Sequence, residues 1–161
     1  MSTPPIDLAK AHRWFGIELN NRAWDLIEAP ARTAEETAEM LSAAHASSYH
    51  WRQVGNSLNQ LRGDSLIASA YLAANKPELS LLYGRRCLAL CDQADVEATA
   101  FDRAGASGVT ACALAQLGQA DQAHRSYQQA LEQAALLEDA DDRAVFERLY
   151  PAPQGLGIAP A

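Results

Sequence analysis

Apolar positions recur at three- and four-residue spacings almost throughout the chain, and no stretch keeps the two-residue alternation of a strand for long. The pattern predicts an all-α protein. A first helix is expected from about Thr3-Pro4, with Pro at the first helical position, to Leu19. Asn20-Asn21 reads as an interruption, followed by a short helix through Trp24, Leu26 and Ile27 that stops near Pro30. Thr33 and Glu36 have capping-box spacing and open a long helix to about Val54, which Gly55 ends. Ser57 and Gln60 repeat that spacing and open a helix to about Ala74. Asn75 suits a left-handed cap, and Pro77 starts the next helix, which runs to about Cys91. Asp95 is read as the N-cap of a helix carrying Phe101 to Leu117 and stopping at Gly118. Its neighbour is expected from Ala120 to about Leu137. A last helix starts in the acidic cluster of Glu138, Asp139, Asp141 and Asp142 and ends at Pro151. About eight helices are therefore expected, one of them very short.

One residue pattern occurs twice. The first copy is Ala68, Tyr71, Asn75, Ser80, Gly84, Cys87 and Leu88; the second is Ala111, Leu114, Gly118, Ala123, Tyr127, Ala130 and Leu131. Small residues stand where two antiparallel helices would touch, and Asn or Gly stands at the turn. This resembles the tetratricopeptide helical hairpin over residues 57–137. Asn75 and Gly118 are 43 residues apart, against a family unit of about 34, which implies a longer second helix and a longer loop around Asp92. The family's leading Trp and Leu are replaced by Asp64 and Ile67 in one copy and by Ser107 and Thr110 in the other. The resemblance implies stacked antiparallel hairpins forming a short right-handed superhelix over residues 1–150. It also implies burial of Leu58, Leu61, Ala68, Tyr71, Leu82, Leu88, Ala111, Leu114, Ala123, Tyr127 and Leu131. The tail, residues 151–161, is rich in Pro, Gly and Ala and is expected to be disordered.

With 161 residues and 48% hydrophobic content the chain can bury a core. Its net charge of −7 speaks against nucleic acid or an anionic membrane surface as partner. No signal-peptide pattern and no membrane-length apolar run stand in the sequence. Three cysteines within helical patterns fit reduced thiols, hence a cytoplasmic protein, and a bacterial-type one is expected.

The candidate chemistry is sparse. His45 and Tyr49, four apart, share a helix face, whereas His45 and His50, five apart, diverge. Metal sites on one helix favour spacings of three or four, so no metal and no cofactor is expected. Cys87, Cys91 and Cys112 read as small core residues rather than ligands or nucleophiles. No nucleophile elbow or phosphate loop is present. The resemblance places Arg62, Ser65 and Ser69 on a concave face, with Gly105, Gly108 and Cys112 at the matching positions of the second hairpin. Some proteins of that family clamp a peptide carboxylate there; with Arg62 as the single cation, an apolar segment fits better, even one from the same protein. Trp14, Phe15 and Trp24 are candidates for a homodimer or partner interface. Neighbouring residues project about 100° apart, so Trp14 and Phe15 cannot both turn inward from a surface helix. The expectation is a non-catalytic protein-interaction or self-association scaffold. The alternative is a small-molecule or metal-binding bundle, with enzymatic activity conceivable, around His45, Tyr49 and Arg62.

Overall fold

The computed structural model describes residues 6–154, and these contain seven α-helices and no strand. They are α1 (Leu8–Ile27), α2 (Ala34–Val54), α3 (Ser57–Ala73), α4 (Pro77–Cys91), α5 (Ala100–Gln116), α6 (Ala120–Ala134) and α7 (Ala140–Leu149).

Local chemistry sets most of the boundaries. Asp7 caps α1 by accepting from the Lys10 amide; the start expected at Thr3-Pro4 lies outside the described residues. The expected break at Asn20-Asn21 is absent, which removes one helix from the count. Asn costs a helix only a few tenths of a kcal/mol and lacks the steric veto of Pro, so burial of Ala23 and Leu26 carries α1 through. Arg32 then closes α1, donating to the carbonyls of Leu26 and Ile27 at 2.7 and 2.9 Å and to Ala73 on α3 at 2.8 Å. Thr33 and Glu36 cap α2 reciprocally, as their spacing predicts.

Two caps sit elsewhere than expected. Asn56 and Asn59, not Ser57 and Gln60, form the reciprocal cap of α3. Thr99 and Asp102 form that of α5, while Asp95 accepts from the Ser57 hydroxyl at 2.8 Å. The loop before α5 thus extends four residues beyond Asp95 because a better capping pair lies further on. Asn75 (φ 55°) and Gly118 (φ 71°) both adopt the left-handed conformation at the ends of α3 and α5. α6 stops at Ala134, earlier than Leu137, and Asp139 caps α7.

Each helix packs against the next in chain order from α1 to α6, and α3 also touches α1 and α5. So α1, α3 and α5 lie side by side, and α7 rests on α5. The core is alanine-rich: Ala68, Ala104, Ala106, Ala111, Ala113, Ala123 and Ala130 are all sealed from solvent. Of the residues expected inside, Leu61, Ala68, Ala111, Leu114, Ala123 and Tyr127 are buried, and Leu58, Tyr71, Leu88 and Leu131 are half-buried. Leu82 is the exception, at 53% exposure. Leu81 takes the inward position, and one residue further turns the side chain about 100° toward water.

The tail lies partly within the described residues. Ala152 and Pro153 are half-buried, and the Cys112 thiol lies 3.9 Å from the Pro151 carbonyl. The rest of the expected disordered tail falls outside them.

Candidate functional site

The inner face is here the side of the α1, α3 and α5 row on which α7 rests, through α5. Gly105 and Gly108 leave α5 bare where the Tyr150 ring lies; a Cβ on Gly108 would sit 2.9 Å from that ring. Tyr150 is buried, and its hydroxyl lies 2.8 Å from that of Ser69 on α3. Burial pushes its phenol up to about 12. Arg148, near the end of α7, pairs with Glu28, the residue that caps α1, at 3.1 Å. Tyr150, the residue that ends α7, therefore fills part of the face where Ser69, Gly105 and Gly108 were expected to line a groove.

Beside Tyr150 a cleft of about 360 Å³ stays open. Trp24 and Asn20 of α1, Arg62 and Ser65 of α3, Phe101 and Asp102 of α5 and Leu149 of α7 line it. A second recess, of about 290 Å³, lies beyond Leu149 and Tyr150, against Ser69, Leu72 and Ala73. Arg62 does not present a free charge to the cleft. Its Nε and Nη2 donate to both Asp102 oxygens at 3.0 and 3.2 Å. Burial alone would raise the Asp102 carboxyl, but hydrogen bonds from Arg62 and from the Thr99 amide and hydroxyl outweigh it and hold it below its ordinary value.

A separate polar seam joins α2, α3 and α4. His45 Nε2 lies 2.9 Å from the Tyr71 hydroxyl, and its ring stands edge-on to Tyr71 and Tyr83. Burial, then the Arg52 charge, lowers the His45 pKa, so the imidazole stays neutral more readily than a free one. Arg86 covers the Tyr83 ring at 4.9 Å and reaches Asp64 at 3.0 Å. Asp64 is fully buried, and neither of its oxygens has an aligned hydrogen-bond donor. Burial raises its carboxyl despite Arg86.

The remaining candidates separate. Tyr49 is exposed and lies beside His12 and His50, away from the partners of His45 and Arg62. Arg62 and Tyr71 are nine residues apart on α3, half a turn around the helix, so His45 and Arg62 serve opposite sides of it. No shared site of His45, Tyr49 and Arg62 exists in this fold, and no group of three or more His, Cys, Asp or Glu suits a metal among the described residues. Trp14 (57% exposed) and Phe15 (43%) both face outward, edge to face, while Trp24 turns into the cleft. Cys87 and Cys91 are buried and Cys112 half-buried; all three are free.

Sequence reasoning passed over Tyr150, His12 and Arg86 as site residues, and mentioned Asp64 only as a departure from the repeat pattern. A signal for Asp64 was present: it stands within the apolar stripe Leu61, Ile67, Ala68, Tyr71, at a position where the tetratricopeptide pattern carries a large apolar side chain. The other three are brought in by helices distant in sequence.

No family model, no curated protein and no solved structure matches the chain.

Proposed function

We propose that the chain is a non-catalytic interaction scaffold of tetratricopeptide-like hairpins, binding an apolar protein segment in the cleft between α1, α3, α5 and α7. The hairpin reading is supported by the left-handed turns at Asn75 and Gly118 and by burial of the small residues at matching places in both copies: Ala68, Ser80 and Cys87, then Ala111, Ala123 and Ala130. Stacking of such pairs side by side is what gives a superhelix its concave face. The observation that carries the reading is the lining of the cleft. Its walls are Trp24, Phe101 and Leu149, and its charged pair, Arg62–Asp102, is already satisfied internally. Aromatic walls with paired polar groups suit burial of an apolar side chain, not acid–base or nucleophilic chemistry. Free thiols suit a reducing compartment such as the cytoplasm.

Selection of a random peptide library on the purified chain tests this. Selected peptides should lose about thirtyfold in affinity on Trp24→Ala, which corresponds to about 2 kcal/mol, and should not bind Ser65→Trp, which fills the cleft. Failure to enrich any peptide, or equal affinity for both variants, would sink the reading.

Self-association is a second reading, favoured by one observation: Leu8, Trp14, Phe15 and Ile17 of α1 are all exposed. Light scattering of the wild type against Trp14→Ala and Phe15→Ala checks it. A monomer at high concentration removes it.

A further inference from the structure

The fold pairs two histidines that are 38 residues apart. His12 of α1 and His50 of α2 place their Nδ1 atoms 2.8 Å from one another. The pairing follows from how closely the two helices approach. Gly16 has no side chain, so the Trp51 indole lies where a Cβ would be 3.0 Å from it, and the Ser47 hydroxyl donates to the Gly16 carbonyl at 2.7 Å. One helical turn further along, His12 precedes Gly16 by four residues and His50 follows Ser47 by three, which brings the two imidazoles together, ring centres 5.0 Å apart and planes tilted by 51°. Phe15 stacks on the His50 ring at 5.3 Å, and Tyr49 stands edge-on to it at 5.5 Å. The pair is thus held between packed aromatics on a side that solvent reaches.

We propose that His12 and His50 form a two-imidazole site for a divalent transition-metal ion of the zinc class. As the pair stands, one Nδ1 carries a proton that the other accepts. Moving that proton to Nε2 of its own ring leaves two Nδ1 lone pairs converging on one point, with no net change in charge. Zinc–nitrogen bonds of 2.0–2.1 Å in tetrahedral geometry need the two nitrogens about 3.3 Å apart, so the rings part by about half an ångström. No third His, Cys, Asp or Glu joins the pair among the described residues, so the other positions belong to water or to another chain. The nearest cation in sequence, Arg13, lies over the Trp51 ring at 5.8 Å. The net charge of −7 favours a cation overall. The expectation of no metal rested on histidine spacings within one helix, whereas this pair spans two.

Calorimetric titration with Zn²⁺ alone tests the site, using full-length protein made without a histidine tag. The wild type should show saturable uptake. His12→Ala and His50→Ala should each bind at least about tenfold more weakly, and His124→Ala should bind like the wild type. One ion per chain and one per two chains both support the site; the second adds that another copy's pair fills the open positions. Circular dichroism checks that the variants keep their helices, and His12→Asn, which retains a polar side chain, replaces an alanine variant that does not. Absence of saturable uptake by the wild type, or equal uptake by a folded His12 variant, overturns the proposal.

Discussion

Asp102 on the inner face and Asp64 in the outer seam are both buried carboxylates with an arginine beside them, yet their affinities for a proton shift in opposite directions. Asp102 receives four hydrogen bonds, two from Arg62 and two from Thr99. Asp64 has Arg86 at 3.0 Å but no aligned donor. An ion pair by distance is therefore not enough to hold a charge inside a protein; the number of aligned donors decides whether burial is offset. The inner pair stabilises its charged form. The outer one tolerates a charge that the fold would rather neutralise.

The largest expected effect comes from removing the weaker carboxylate's ion-pair partner, which leaves the weaker influence of Arg52. Arg86→Ala should destabilise by about 3 kcal/mol in urea unfolding, because Asp64 is left buried without a partner. Adding Asp64→Asn to that variant should restore most of the loss; no restoration would show that Arg86 acts through packing on Tyr83 instead. Arg62→Ala should cost less, about 1 kcal/mol, since Thr99 continues to bond Asp102 and Arg62 is half-exposed. A larger loss for Arg62 than for Arg86 would reverse the ranking.

Smaller and opposite in sign are the pH effects. Asp64 binds its proton more tightly folded than unfolded, so its contribution to stability falls as pH rises from about 3.9 through the folded value. Asp102 binds its proton less tightly folded, so its contribution is lost as pH falls below about 3.9 through the folded value. Urea midpoints between pH 3 and 7 should therefore show Asp64→Asn relieving the loss on the alkaline side and Asp102→Asn removing the loss on the acid side. Shifts of the same sign in both variants would break the contrast.

The smallest effect is a rate. Burial raises the Cys87 thiol strongly, with Asp64 adding to it, and burial pushes Cys112 up to about 12. Both should react slowly with a thiol reagent in the native state. Cys87 in the outer seam, sealed from solvent, should label more slowly than the half-buried Cys112; faster labelling of Cys87 would show that the outer seam opens first.

What could be read from the chain was what neighbouring residues decide among themselves. The Thr33–Glu36 cap and the Asn75 and Gly118 turns need only residues a few positions apart. Asn20-Asn21 misled because a polar pair has no power to end a helix whose next turn is buried. Trp24, Arg62 and Ser65 do line one cleft, because helix period places Arg62 and Ser65 on one side of α3. Their neighbours in space could not be inferred the same way. Ser69 meets Tyr150 across 81 residues and His12 meets His50 across 38, and neither meeting leaves a periodic trace. Asp64 hid for another reason: its helix position is plain, but only the packing of α4 shows how few donors reach it.

The dependence of the inner face on Tyr150 also sets an order of events in time. Helices α1 to α6 contact their sequence neighbours, and local contacts of that kind form early and quickly as a chain leaves the ribosome. The outer seam needs nothing beyond Arg86. The floor of Gly105 and Gly108 must wait for Tyr150, which is made after all of α1 to α6, and for that interval the bare backbone of α5 faces water. A nascent chain at this stage carries a finished exterior and an unfinished interior face. Its vulnerability to proteolysis or wrong association belongs to the interval before Tyr150 docks.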